Sequence, residues 1–357
     1  MGEEEVEVLL PIEGLHGIGV VVDDLKRSLG EFSRFFGVSE WSVRRLVSGK
    51  NFSVTSPLGE VTAELLWATG GTKNLRFDIV QPLSGATCFR AFLDRRGPGV
   101  QDISTNVLSP AAFDEVAPKL AREGIGILQT LQFGDLLDIH YLDSADKLGT
   151  VVKLLVPRVA GAETLEGVPV EEVVRYDLAP EAARLPIDRP YHVCVLTKNR
   201  RWSVRDNFRR IFGIEQWFEY DNEVGRTTQW AHYAGRSVDG RFKLTCGRRE
   251  KFGVEVVEHV YGESAYREML ESKGEGIHHV MTTICDRGRA EQALAALAPE
   301  GYSIVMDGGS GPIYYGYFAA AGKLADLAVE LVGSVGKEDM ETVGGDEFWS
   351  ILKGPVY

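Results

Sequence analysis

No stretch of this 357-residue sequence approaches the run of about 20 apolar residues that carries a helix across a bilayer. Its start, MGEEEVEVLL, is acidic where a secretory signal needs a basic segment, and Val6 stands where a myristoylation signal needs Ser or Thr. Cysteine is scarce. Cys88, Cys194, Cys246 and Cys285 are scattered without CxxC spacing, which argues against a thiolate zinc site or a disulfide framework and fits reduced thiols acting as small core residues. Positive charge is short as well: 39 Lys and Arg against 52 Asp and Glu give a net charge of −13. Such a field repels polyanions and anionic lipid surfaces, so neither nucleic-acid nor membrane partners are expected, although a local basic patch can still hold a phosphate. What remains is a chain expected to be soluble and cytoplasmic. At 44% hydrophobic residues it can bury a sizeable core, and it is longer than one average domain.

An internal repeat decides a fold before anything else, and the chain repeats itself at about half its length. LHGIGVVVDDLKRSLGEFSRFFGVSEW from Leu15 aligns without a gap to YHVCVLTKNRRWSVRDNFRRIFGIEQW from Tyr191, at an offset of 176. The match sets His16 on His192, Phe32 on Phe208, Phe36 on Phe212, Gly37 on Gly213 and Trp41 on Trp217. A second block, Leu83 to Ser104 against Val260 to Met281, runs at 177; a third pairs YLDSADKLGTVVKLLV from Tyr141 with YFAAAGKLADLAVELV from Tyr317. Three collinear blocks predict two copies of one domain, at 1–156 and 188–335. The Pro-, Ala- and Glu-rich segment 157–187 reads as a linker able to carry a short strand or helix, and 336–357 as a polar tail whose apolar end packs back on a domain.

Within a copy the pattern is a short apolar strand, an amphipathic helix, then strands. HVCVLT is β-rich, and RRWSVRDNFRRIFG sets Trp202, Phe208, Ile211 and Phe212 at near-helical intervals before Gly213. TTQWAHYA, FKLTCG and VEVVEHV follow as an antiparallel meander. IHHVMTTI, the helix GRAEQALAALAPEG, and the strands YSIVMD, IYYGYFAA and LAVELVG repeat the order. The expected class is α+β, with each domain a pair of βαβββ modules forming a partly open β-barrel.

Ligand-type residues sit on the first and last strand of each module of the second copy: His192 and Glu255, then His279 and Glu330. Two imidazoles and two carboxylates suit a borderline or fairly hard divalent ion such as Fe, Co, Ni, Mn or Zn. Strand alternation leaves a choice between Glu255 and Glu258, and between His278 and His279, which point to opposite faces. The repeat favours Glu255 and His279, which align with Asp78 and Asp102.

YHVCVLT, VEVVEHVYGES, MLESKGEGIHHVMTTI and LAVELVG resemble the vicinal oxygen chelate superfamily, the group of glyoxalases, bleomycin-resistance proteins and extradiol dioxygenases. Within it the second copy most resembles methylmalonyl-CoA epimerases and glyoxalase I. The resemblance implies a metal held by His192, Glu255, His279 and Glu330. It also implies a degenerate first copy, where His16 remains, Asp78 and Asp102 replace two ligands, and Lys153 or Leu154 stands in place of the last Glu.

The function implied is a divalent-metal-dependent isomerase, epimerase or lyase that chelates vicinal oxygens of a carbonyl substrate and stabilises an enolate. Glu330, His232 and Gln229 are the candidate catalytic residues. Arg248, Arg249, Tyr315 and Tyr317 are candidate substrate contacts. Lys198, Arg200, Arg201, Arg205 and Lys251 are further cations flanking the ligand strands. The expected partner is a small molecule, a CoA thioester or an oxo/hydroxy carbonyl compound, with a homodimer as the possible assembly. Two alternatives stand beside this. One is an Fe(II)-dependent extradiol or 2-oxo-acid dioxygenase using His192, His279 and Glu330, against which Glu255 counts as an extra ligand. The other is a non-catalytic small-molecule binding protein.

Overall fold

The computed structural model describes residues 8–178, 185, 187, 189–250, 252–284, 287–310 and 313–334. The acidic start, Lys251, Cys285 and the tail expected to pack back lie outside the described residues. Two curled sheets carry the chain, one of 11 strands drawn from the first copy and one of 10 strands from the second. The fold is that of two tandem vicinal-oxygen-chelate domains.

In the second sheet the first module supplies His192–Thr197, the helix Arg201–Phe212, and the strands Gln216–Glu223, Gly240–Arg249 and Phe252–Gly262. Helix Ala265–Ser272 leads to the second module: Gly276–Ile284, the helix Arg287–Leu297, and the strands Ser303–Ser310, Ile313–Ala319 and Ala328–Ser334. The module starts lie side by side, His192–Thr197 running antiparallel to Gly276–Ile284. Each start is flanked on its other side by the parallel last strand of its own module. The short hairpin Trp230–Tyr233 and Arg236–Ser237 leaves the first module and pairs with Ser303–Ser310 of the second. That exchange curls the sheet towards closure and leaves the barrel partly open. The first sheet repeats this order and gains one strand, Glu172–Arg175, which pairs with Glu40–Val47 from within the segment read as a linker.

The helices that open each copy end where the chain can turn left-handed: Gly37 at φ 78° and Gly213 at φ 70°, each donating its N–H back into the helix. A residue with a Cβ is strained there. Val204, Phe208, Ile211 and Phe212 form the buried face of the second of these helices. Trp202, expected on that face, is instead 46% exposed. It lies in the first helical turn, and the guanidiniums of Arg201 and Arg205 cover its ring at 4.1 and 4.4 Å.

One hydrophobic cluster runs through both halves, from Ile18, Phe32 and Phe77 to Val195, Phe208 and Val254. The halves also interlock by polar contacts. Leu10 and Ile12 donate to the carbonyls of Ile211 and Phe212, and Leu324 N–H donates to Glu31. Phe35 packs on Tyr302 with ring centroids 5.0 Å apart.

Candidate metal centre

Strand pairing explains why four distant residues converge. Phe252–Gly262, His192–Thr197, Gly276–Ile284 and Ala328–Ser334 are consecutive in the sheet. Cys194 pairs with Glu255 on one side and His279 on the other, and His192 faces Met281, which in turn faces Glu330. Side chains on one face of such a row meet inside the curl. His192, Glu255, His279 and Glu330 are all buried, with one ligand atom from each within 4.8 Å of the others. The alternation choices therefore resolve to Glu255 and His279, since Glu258 and His278 belong to the opposite face.

Three of the four atoms are tightly grouped. Glu330 Oε2 lies 2.9 Å from His192 Nε2 and 3.2 Å from His279 Nε2, and the two imidazole nitrogens are 3.4 Å apart. Glu255 stands further back, its oxygens 3.8 Å from His192 Nε2 and 3.7 Å from His279 Nε2. The thiol of Cys246, its cross-strand partner, lies 3.4 Å from Glu255 Oε2.

The donor set fits a divalent cation on two observations. Glu255 Oε1 is buried with no hydrogen-bond partner among the described residues, and buried Glu330 Oε2 faces the two imidazole nitrogens, which is costly unless a positive charge sits between these groups. The second concerns the ring of His279, whose Nδ1 lies 2.9 Å from His278 Nδ1. His278 hydrogen-bonds the backbone of Ala265. The tautomers that satisfy both rings have His279 Nδ1 donating to His278, so its Nε2 lone pair points at the carboxylates. His278 is thus an outer-shell partner that the sequence offered only as a rival ligand. Tyr317 stacks on His279 at 4.7 Å and hydrogen-bonds Tyr266, which fixes the ring from its other side.

Without a metal, protons fill the gap. Burial pushes Glu330 up, but His279 and His192 more than offset it and hold its carboxyl well below the usual range. Burial alone would lower His192, yet Glu330 and Glu255 raise it above its ordinary value. A metal must displace that proton, so affinity falls as pH drops. Metal occupancy in competition with a pH-insensitive chelator is therefore expected to decline from about pH 8 to about pH 6. A flat profile would contradict a site built on these imidazoles.

A cavity of about 150 Å3 opens in front of the group. Its walls follow the period of two: Phe218, Tyr220 and Asn222 on one strand, Phe242, Leu244 and Cys246 on the next, then Tyr315 and Tyr317. Thr228 donates to Asn222 at 2.9 Å and adds the main polar spot away from the ligands. Tyr315 Oη has no partner.

Of the residues picked from sequence, His192, Glu255, Glu330, Tyr315 and Tyr317 line this cavity, and His279 lies behind its wall. Gln229 and His232 do not. Gln229 is exposed and its neighbour Thr228 faces inward, while His232 pairs with Asp307 at 3.0 Å away from the lining. Arg248 and Arg249 are turned to the carbonyls of Tyr191 and Gly213. Arg201 binds Thr245, and Arg205 pairs with Asp206 and Glu219. No Lys or Arg lines the cavity among the described residues. Sequence proximity misled here because a strand carries its flanking residues past the end of the barrel. Asn222, Thr228, Phe242 and Cys246 were missed, although alternation along Phe242, Leu244 and Cys246 carried the signal.

The first copy shows what the centre becomes without a metal. Gly19 pairs with Asp78 and Asp102 as Cys194 pairs with Glu255 and His279. The counterpart of His192 is therefore Gly17, not His16, and the ungapped alignment is corrected by one residue inserted in the second copy between strand and helix. His16 lies outside the strand, 3.5 Å from Glu13. Lys153 faces Ser104 as Glu330 faces Met281, so the last ligand is replaced by Lys153 and not by Leu154. Its ammonium, 1% exposed, sits 2.7 Å from Asp78 and 3.3 Å from Asp102. Any Cβ at Gly19 would lie 2.0 Å from Asp102 Oδ2, so that glycine is required by the crowding of the triad. Nitrogen has taken the position of the cation.

Fold and site together define a tandem vicinal-oxygen-chelate architecture with a buried group able to hold a metal ion in its second half and a lysine in the corresponding place of its first. No protein-family model matches the sequence, and no curated protein is significantly similar to it. Among solved structures, a variant of 4-hydroxymandelate synthase from Streptomyces coelicolor superposes with a TM-score of 0.53 at 14% identity, over 96% of this chain and 97% of that one. A xylose isomerase-like TIM barrel/4-hydroxyphenylpyruvate dioxygenase fusion protein gives 0.48 at 12% identity, over 96% of this chain and 52% of that one. What is shared with the synthase is the fold.

Proposed function

We propose that the second half is the active centre of an iron(II)-dependent dioxygenase acting on a small apolar-bodied molecule that presents two adjacent oxygens. The observation that carries this reading is the spacing of the three close donors. Ligands about 2.1 Å from an octahedral ion and at right angles to one another are about 3 Å apart, and His192, His279 and Glu330 stand at 2.9 to 3.4 Å. Two His and one carboxylate on one face is the arrangement of non-haem iron oxygenases. Bound there, ferrous iron would supply Lewis acidity towards the chelating oxygens and electron transfer to dioxygen.

The chain's own residues do the rest. Phe218, Phe242 and Tyr315 enclose the body of the substrate and exclude water, in a volume near that of a single ring. Asn222 and Thr228 orient its distal end. Glu255, set back and with one oxygen lacking a donor, is placed to accept the proton of a chelating hydroxyl or enol. A CoA thioester is disfavoured, because no cation lines the cavity to meet its phosphates.

The second reading, an enolate-stabilising isomerase or lyase, is favoured by the same Glu255 if it closes on the metal as a fourth ligand. Glu255→Ala separates the two. The dioxygenase reading expects iron retained at the wild-type level and oxygen uptake lowered about 100-fold. Loss of the metal, together with deuterium exchange of a substrate C–H without oxygen, would establish the isomerase instead. Oxygen electrodes with catechols and 2-oxo acids, and iron analysis of the same preparations, give both readouts.

A further inference from the structure

A second cavity of about 480 Å3 lies between the two halves and shares no residue with the metal cavity. It is bounded by Phe92–Arg96 and the Ala145–Val151 stretch of the first copy, and by the Lys198–Arg200 and Lys273–Ile277 turns of the second. In a chain of net charge −13 this cleft is cationic: Arg95, Arg96, Lys198, Arg200 and Lys273 line it against two acids, Asp146 and Glu275.

Two of the five cations, Arg200 and Lys273, are already paired with acids. Glu275 is taken by Arg200 and by the Lys198 backbone. Arg96 donates to the carbonyl of Glu275 and lies over the Phe92 ring, and its Nε is buried with no hydrogen-bond partner among the described residues. Lys273 is held by Asp326 at 2.6 Å and by the carbonyl of Pro98. Arg95 and Lys198 are exposed and make no ion pair among the described residues. Burial lowers Arg96, the adjacent Arg95 lowers it further, and Glu275 offsets this only in part. Volumes of this order accept small ligands, and such sites favour domain interfaces.

We propose that this cleft binds a small polyanion, a ligand carrying a phosphate group or several carboxylates, gripped by Arg95 and Arg96 from one half and by Lys198 from the other. Guanidinium and ammonium donors spaced around one cavity suit such a ligand. Because the contacts come from both copies, the ligand would bridge them and raise the melting temperature of the whole chain. The inference is independent of the chemistry at the metal.

The test is calorimetric titration of the full chain with inorganic phosphate and, separately, benzene-1,3,5-tricarboxylate, with metal content checked before and after. Saturable binding of either at one site per chain, weakening with added salt, is expected. The two arms distinguish phosphate from polycarboxylate. Binding should fall roughly tenfold or more in the double variant Arg95→Glu/Lys198→Glu, and remain in Lys50→Glu, an exposed charge reversal elsewhere. Equal melting temperatures without ligand show that the variants fold. The proposal is overturned if neither anion binds saturably, or if the double variant binds as tightly as the wild type.

Discussion

Glu330→Ala is expected to leave the protein folded but without stable iron, with oxygen uptake reduced to the level of the metal-free chain. Loss of a residue that merely orients a ligand costs about 10- to 100-fold in metal affinity, so removing the oxygen that contacts both imidazoles should exceed about 100-fold. Glu330 Oε2 is that oxygen, at 2.9 and 3.2 Å from His192 and His279. Metal analysis after anaerobic reconstitution reads the first effect and an oxygen electrode the second. A Glu330→Ala protein that kept a full complement of iron would move the centre elsewhere.

Lys153→Met should have the largest effect on stability. The substitution keeps the volume and removes the ammonium that lies between two carboxylates, Asp78 and Asp102, that are 4% and 2% exposed. Breaking a buried ion pair by deleting one partner costs about 3–5 kcal/mol. Burial opposes the charge on Asp78, but Arg76 and Lys153 hold its carboxyl well below the ordinary 3.8. Lys153 is lowered by burial and raised more by Asp102 and Asp78, ending above the ordinary 10.5. A depressed carboxylate contributes stability above its unfolded value and loses it in acid; a raised ammonium contributes below its unfolded value and loses it in alkali. The gap between wild type and Lys153→Met should thus be widest between about pH 4 and about pH 10, and shrink outside that window. Denaturant melts across pH measure it. Converting Asp78 and Asp102 to Asn in the same variant should restore much of the loss; if it does not, packing and not charge is the function of Lys153.

Much of this could be read from the chain alone. The paired modules, the tandem copies and the residue types at the centre follow from repeats and from apolar periodicity, because a strand or helix must present one face to a core. His192, Glu255, His279 and Glu330 stand out as polar residues on otherwise buried strands. What stayed hidden was register. A single residue inserted before the second copy's helix moves the counterpart of His192 from His16 to Gly17, and side-chain alternation makes such a slip change the face. Gln229, picked by its alignment to the base-bearing strand of the epimerases, is exposed, and the cavity is lined by its neighbour Thr228. Arg248 and Arg249 were misplaced because nearness in sequence says nothing of which end of a barrel a turn occupies. The choice of reaction was not legible either: it rests on Glu255 standing at 3.8 and 3.7 Å from the imidazoles where Glu330 stands at 2.9 and 3.2 Å, a difference no pattern of letters encodes.

The interlocking of the copies has a consequence for how the molecule can be divided. Leu10 and Ile12 belong to the first copy by sequence but give their N–H groups to the end of the second copy's leading helix, and the apolar cluster does not stop at the boundary. A chain cut between the copies and expressed as two fragments should therefore behave as complementing pieces, each poorly soluble alone and regaining a shared core when mixed. The inert copy is in that sense part of the wall that keeps the metal-bearing one folded, which gives a reason for a domain without ligands to be retained.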